Sequence, residues 1–140
     1  MIRKIEATDY PRLIEIWESA VSSTHDFLKK DDFLYYKKQL PTYFQYVTLL
    51  GFEKEGCIIG FMGIAEGNLE MLFIDNQYRG TGVGKELISY AIDNLQVTKV
   101  DVNEQNSQAV GFYKHMGFNV YKRSDLDGEG KEYPILHMQL

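Results

Sequence analysis

Three glycines alternate along one short segment of the sequence, at Gly80, Gly82 and Gly84. They follow the apolar residues 72–74 and precede an amphipathic helical stripe formed by Leu87, Ile88, Ala91, Ile92 and Leu95. Because glycine tolerates positive φ and close backbone approach, this pattern predicts a buried strand that turns abruptly into a helix. The segment therefore favours a fold in which strands and helices alternate.

A strand-to-helix turn of this kind can bind an anion. The first backbone N–H groups of a helix have no partner within the helix, and the helix dipole adds partial positive charge there. Arg79 and Lys85 could add full charges on either side of the glycines. Phosphate or pyrophosphate would suit the site best. The alternative is a tight turn that binds no ligand.

Two common phosphate-binding motifs do not fit this segment. A P-loop requires glycine at position 79 and serine or threonine at position 86, where the chain has Arg79 and Glu86. The dinucleotide fingerprint requires G-x-G-x-x-G, whereas residues 80–84 read G-x-G-x-G. That fingerprint also opens the first unit of a parallel sheet, and here a predicted antiparallel hairpin comes first. A nucleotide-binding protein is therefore disfavoured.

The rest of the chain alternates between strand and helix patterns. The predicted order is a strand, two helices, three strands, a helix, a strand, a helix and two strands. This order is typical of a mixed α/β (α+β) protein with a largely antiparallel front and strand–helix–strand connections behind. The second helix is expected to end before Pro41. No repeat or linker divides the sequence, so residues 1–140 are predicted to form a single domain.

Composition excludes several classes of protein. The 140 residues are 44% hydrophobic and 25% charged, which rules out intrinsic disorder, and the net charge of −5 argues against nucleic-acid binding. The single cysteine, Cys57, lies in an apolar run and is expected to be a buried strand residue. No signal peptide, membrane span or metal-ligand spacing is recognisable, so a cytoplasmic protein that requires neither membrane nor metal is predicted.

Two segments together resemble the GNAT N-acetyltransferase superfamily. Residues 79–84 match its R/Q-x-x-G-x-G/A signature, and residues 106–118 match its N-x-x-A-x-x-x-Y-x-x-x-G-F segment. Both occur in the family's order and at its separation, and the predicted elements follow its order over essentially the whole chain. Residues 24–28 and 102–106 resemble a small bacterial subgroup whose substrates are poorly defined.

The resemblance implies that acetyl-CoA is the cosubstrate. In the family, the glycine loop binds the pyrophosphate through main-chain N–H groups, and the preceding strand pairs with the pantetheine arm like an added strand. The sheet is expected to splay between its fourth and fifth strands. Carried over by position, the cofactor-binding residues are Leu72, Phe73, Ile74, Arg79, Gly80, Thr81, Gly82, Val83, Gly84, Lys85, Asn106 and Phe112.

Acetyl transfer to an amine requires a neutral amine, a stabilised oxyanion and protonation of the leaving thiolate. Tyr113, which the resemblance places beside the sulfur, is the candidate acid, because a phenol with a pKa near ~10 is protonated at neutral pH. Asp101, Glu70 and His25 are candidates for the base. Asp101 could instead cap its strand, Glu70 could simply face solvent, and His25 could be a structural hydrogen-bonding residue.

The acceptor side is defined least by the sequence. Candidate lining residues are Trp17, Val21, His25, Phe27, Tyr35 or Tyr36, and Tyr133. Acidic residues between positions 125 and 132 either attract a cationic amine or form a solvated hairpin tip. The predicted function is direct acetyl transfer from acetyl-CoA to a primary amine, on a protein or a small molecule, by a monomer or homodimer. The alternative is a noncatalytic acetyl-CoA-binding or sensor module.

Overall fold

The computed structural model describes residues 1–140 and is built around a seven-stranded sheet. The strands lie in the order β1-β2-β3-β4-β5-β7-β6. Neighbours are antiparallel except for the parallel pair of β4 and β5. The strands are β1 (Ile2–Lys4), β2 (Thr48–Lys54), β3 (Cys57–Ala65), β4 (Asn68–Ile74), β5 (Lys99–Asn103), β6 (Asn119–Ser124) and β7 (Ile135–Gln139).

Helices cover both faces of this sheet. They are α1 (Tyr10–Thr24), α2 (Lys30–Phe44), α3 (Val83–Leu95) and α4 (Ser107–His115), with single 3₁₀ turns at Ala7–Asp9 and Asn76–Tyr78. The sequence predicted this order of strands and helices. One apolar core lies between the sheet and α3 and α4, and a second lies between the sheet and α1 and α2. Side chains of β4 alternate between the two cores, with Leu72 in the first and Phe73 in the second.

The sheet opens between β4 and β5. These strands pair only at Asn68↔Lys99 and Leu69↔Val100. Immediately afterwards the register of β4 against β3 shifts at Glu70, and such a bulge increases strand twist. Residues 72–74 remain paired with β3 but have no strand partner on their other side. The gap between residues 70–74 and 101–103 is called the fork below, and it is the predicted splay.

A buried carboxylate fixes the start of the glycine loop against α1. Asp75 accepts hydrogen bonds from Arg12 Nη2 at 2.9 Å and from the Gln77 backbone N–H at 3.0 Å. Ser19 Oγ accepts the Asn76 N–H at 3.0 Å. Desolvation opposes ionisation of Asp75, but these hydrogen bonds outweigh it and lower its pKa. The loop therefore leaves β4 from a defined position.

Two local expectations were wrong. Helix α2 does not end before Pro41 but continues through it to Phe44. The missing N–H costs one helical hydrogen bond, and burial of Leu40 and Phe44 in the second core offsets that loss. Cys57 is a strand residue, but it is exposed because it stands at the hairpin end of β3, outside both cores. None of the helices combines the length and apolarity needed to cross a membrane.

Candidate active site

A groove extends from the fork to the beginning of α3, and it is called the loop groove below. Of the predicted cofactor-binding residues, all but Thr81 line it. The Thr81 hydroxyl donates to the Tyr78 carbonyl at 2.5 Å, and its side chain contributes to a separate cavity instead. Five further residues line it that were not predicted to contact the cofactor: Ala20, Thr24, Tyr78, Gln108 and Ala109.

The α3 end of the loop groove has the properties of an anion site. The first helical hydrogen bond of α3 is donated by Glu86 N–H to the Gly82 carbonyl, so the N–H groups of residues 83–85 have no helical partner. Gly80 and Gly82 adopt φ values of 75° and 90°. No atom lies within 4 Å of where a Cβ would stand on either glycine. The groove therefore combines residues with free N–H groups, the charges of Arg79 and Lys85, and room above both glycines.

Arg79 is held in place by side chains from two elements. Its guanidinium donates to Asn76 Oδ1 at 3.3 Å and to Gln108 Oε1 on α4. The second contact connects the glycine loop to the helix across the groove. Sequence patterns offered no signal for Gln108, because its partner lies 29 residues away.

Asn106 caps α4 and lines both the loop groove and the fork. Its Oδ1 accepts the Ala109 backbone N–H at 3.2 Å, as expected for an N-cap residue. Its amide Nδ2 donates no hydrogen bond within the protein and is available to a ligand. The Asn106 side chain can therefore cap α4 through Oδ1 and donate to a ligand through Nδ2.

Substitutions that remove one or both polar ends of the Asn106 side chain are expected to separate coenzyme binding from helix capping. Asn106→Asp keeps the cap acceptor but removes the amide donor, so acetyl-CoA affinity should fall about 3- to 10-fold with little loss of stability. Asn106→Ala should lose both, with an additional destabilisation of about 1 kcal/mol. Calorimetric binding and thermal unfolding measure the two effects. Full affinity in Asn106→Asp would leave only the capping role.

Tyr113 lies where the loop groove meets the fork. Its ring is buried between Phe112 and Phe118, with centroid distances of 5.3 and 6.0 Å. Burial raises the pKa of its phenol above the ordinary value, so the hydroxyl stays protonated at neutral pH. That hydroxyl makes no hydrogen bond within the protein. It is a proton donor without a partner at the junction of two cavities.

The fork encloses a small cavity that brings the candidate acid and bases together. Tyr113, Asp101, Glu70 and His25 all line it. Asp101 is held by two neighbours: Asn68 Nδ2 donates to Oδ2 at 3.2 Å, and His137 Nδ1 lies 2.6 Å from Oδ1. Desolvation raises the pKa of Glu70, and the charge of Asp101 acts in the same direction.

His25 stands at the centre of the site, because it lines the loop groove, the fork and a third cavity beside them. Its Nδ1 lies 2.6 Å from Thr24 Oγ1. Burial lowers the pKa of His25 to about 4, so the ring is neutral at pH 7. A ring this difficult to protonate is better suited to hydrogen bonding than to removing a proton from an ammonium group.

The third cavity is apolar and holds about 200 Å³, enough for one extended side chain. It is called the aromatic cavity below. Most of the predicted acceptor residues line it, namely Trp17, Val21, His25, Phe27, Tyr36 and Tyr133, whereas Tyr35 does not. Of the residues that the sequence did not indicate, Tyr43 and Asn103 add polar atoms.

The acidic loop at residues 125–134, called the strap below, is not a free hairpin tip. Glu129 accepts hydrogen bonds from Tyr35 at 3.0 Å and from Tyr43 at 2.5 Å. Asp127 accepts from Tyr36, and Tyr133 of the strap donates to Asp32. The strap is thereby fastened to α2 and covers the aromatic cavity with Asp127 and Tyr133.

Loosening the strap is expected to impair acceptor use without affecting the cosubstrate. Tyr35→Phe combined with Tyr43→Phe removes both hydroxyl donors to Glu129. The acceptor KM should rise about 3- to 10-fold while the acetyl-CoA KM stays constant. Tyr46→Phe, on a tyrosine that is 76% exposed just after α2, is the control. Equal changes in both KM values would contradict a role confined to the acceptor side.

The forked sheet and the glycine loop that begins α3 define an acetyltransferase of the GNAT class, and the chain belongs to this family. The family model for the acetyltransferase (GNAT) domain matches residues 21–140. The chain is 37% identical to the peptidyl-lysine N-acetyltransferase YjaB of Salmonella typhimurium, over 98% of this chain and 95% of that protein.

Solved structures agree with this assignment. The solution structure of apo-form YjaB from Escherichia coli has a TM-score of 0.91 at 35% identity, covering 99% of this chain and 95% of that one. YncA from Salmonella typhimurium, solved with its cofactor acetyl-CoA, shares the fold with a TM-score of 0.66 at 19% identity, covering 100% of this chain and 92% of that one. The predicted fold class is confirmed, and the protein is an N-acetyltransferase rather than a noncatalytic module.

Proposed function

We propose that the protein transfers an acetyl group from acetyl-CoA directly to the side-chain amine of a lysine in a peptide or protein. The observation that carries this proposal is that His25 and Phe73 line both the loop groove and the aromatic cavity. Two substrates entering from opposite sides would therefore meet at these residues, beside Tyr113. The names of the relatives support lysine as the acceptor.

The loop groove fits acetyl-CoA. The free N–H groups of residues 83–85 and the charges of Arg79 and Lys85 suit the pyrophosphate. The unpaired edge of residues 72–74 offers main-chain donors and acceptors to the pantetheine arm. These groups would place the thioester at the fork, within reach of the Tyr113 hydroxyl.

The aromatic cavity fits the stem of a lysine side chain. Its lining is mostly apolar, so it can cover four methylene groups without leaving polar atoms unpaired. Two carboxylates of the strap, Asp127 and Glu129, already accept hydrogen bonds from tyrosines of α2. The amine is then free to reach the fork, where it loses a proton.

The reacting groups have defined roles in this proposal. Asp101 accepts a proton from the acceptor ammonium group, since its carboxylate lines the fork and is held there by Asn68 and His137. The neutral amine attacks the thioester carbonyl. Tyr113 donates a proton to the sulfur as the carbon–sulfur bond breaks, and the proton that the attacking nitrogen loses as the amide forms restores the phenol. The net reaction releases one proton to solvent, the one that Asp101 takes from the ammonium group. We also propose that residues 1–140 form a single domain and that the protein is cytoplasmic.

Acetyl-CoA turnover against a panel of amines tests this function. Thiol release is measured with lysine-containing peptides, peptides with a free N-terminus but no lysine, and small diamines. Turnover only with lysine peptides supports the proposal, and mass spectrometry of the product locates the acetyl group. Turnover confined to N-terminal or small amines would contradict lysine as the acceptor. The absence of turnover with every amine would reject the proposed function.

A further inference from the structure

A chain of hydrogen bonds crosses three strands behind the fork. Ser124 Oγ on β6 lies 2.7 Å from His137 Nε2 on β7, and His137 Nδ1 lies 2.6 Å from Asp101 Oδ1 on β5. Asp101 and His137 are register partners, so their side chains stand on the same face of the sheet. Only Asp101 lines the fork, and His137 and Ser124 stand behind it.

We propose that His137 is a positioning residue for the base Asp101, and that Ser124 fixes the tautomer in which His137 acts. In this arrangement Ser124 donates its hydroxyl proton to Nε2, which leaves the proton of the neutral ring on Nδ1. Nδ1–H then donates to Asp101 Oδ1. The inference rests on the proposed function, because it concerns the residue assigned there as base.

The arrangement orients the carboxylate and leaves it able to accept a proton. Asn68 donates to Oδ2 and His137 to Oδ1, so the plane of the Asp101 carboxylate is fixed from both sides. A carboxylate has about four acceptor positions, so at least one remains for the acceptor ammonium group. One proton passes from the ammonium group to Asp101 and later to solvent. His137 keeps its Nδ1 proton throughout.

The same three side chains could be interpreted as a nucleophile, base and acid, with Ser124 as the nucleophile. The cavities argue against this interpretation. Ser124 lies outside the linings of the loop groove, the fork and the aromatic cavity. Of these three side chains, Asp101 is the one that shares a cavity with Tyr113. We therefore expect Ser124 and His137 to affect the reaction through Asp101.

Two substitutions of His137 separate positioning from folding. His137→Leu removes the donor to Asp101, and we expect kcat to fall about 10- to 100-fold with an unchanged acetyl-CoA KM. His137→Asn provides an amide donor near the position of Nδ1, and its kcat should return to within about threefold of the wild-type value. Ser124→Ala should lower kcat less than His137→Leu does, because Ser124 affects only which tautomer His137 adopts. His115→Leu, on an exposed histidine of α4, is the control.

Several results would overturn the inference. They are a wild-type kcat in His137→Leu, equally low rates in the Leu and Asn variants, or an acetyl group found on Ser124. Nitrogen-15 NMR of His137 gives a test that does not depend on turnover: Nδ1–H is expected, and an Nε2–H tautomer contradicts the proposal. Asp101→Asn separates the two levels of inference. Full activity in Asp101→Asn refutes the assigned base. If Asp101→Asn is inactive while His137→Leu has a wild-type kcat, only the role of His137 is refuted.

Discussion

Gly84→Asp is expected to weaken acetyl-CoA binding about a thousandfold while leaving the fold intact. Gly84 lies in the first turn of α3 and lines the loop groove. Its backbone is not in the left-handed region, and an added Cβ would stand at ordinary contact distance, 3.8 Å, from Phe112. An acidic residue in the first turn also suits the helix dipole. The added carboxylate, however, would meet the pyrophosphate, and two like charges about 4 Å apart repel by about 4 kcal/mol near a protein surface.

The matched control for charge is Gly84→Asn, which adds nearly the same volume without the carboxylate. Binding of acetyl-CoA by calorimetry should be far stronger in the Asn variant than in the Asp variant. Gly82→Asp should also weaken binding strongly, but it adds backbone strain because φ is 90° there. Gly56→Asp, at a turn glycine with φ of 80° outside the groove, controls for that strain. Unchanged affinity in a folded Gly84→Asp protein would refute the site.

The parts of the site that the sequence predicted are those specified by neighbouring residues. The glycine loop is one example, because positive φ at Gly80 and Gly82 and a helix start at Val83 are consequences of a few adjacent residues. The cap at Asn106 is similarly local, since its partner is only three residues away. The splay of the sheet was expected only through the family resemblance. Its structural correlate, the bulge at Glu70, has no recognisable sequence signal.

The features that the sequence could not predict depend on distant pairs. Tyr43 and Glu129 are separated by 86 residues, and Tyr133 and Asp32 by 101. Nothing local to the strap indicates that its acids meet tyrosines of α2, so its composition left open both a solvated tip and an amine-binding surface. The contacts of His137 likewise depend on the register that aligns β5, β6 and β7. Cys57 was misjudged because a hairpin end lies outside the core even when the sequence around it is apolar.

Tyr113→Phe is expected to lower the rate of acetyl transfer about 10²- to 10⁴-fold, the usual contribution of general acid catalysis. As the carbon–sulfur bond breaks, the sulfur gains negative charge, and the phenol can stabilise that charge or deliver a proton. Burial raises the pKa of Tyr113, which keeps the proton available across the neutral range. Phenylalanine retains the ring that packs on Phe112 and Phe118. Since the hydroxyl has no partner within the protein, folding and acetyl-CoA affinity should hardly change.

The rate should be measured in a single turnover with a lysine peptide, because product release can limit kcat and conceal a slower chemical step. Tyr90→Phe, on a half-exposed tyrosine of α3, is the matched control for loss of a hydroxyl. Thermal unfolding and calorimetric acetyl-CoA binding should give wild-type values for both variants. A wild-type single-turnover rate in Tyr113→Phe would make Tyr113 a packing residue, and the thiolate would then leave unaided or take its proton from water.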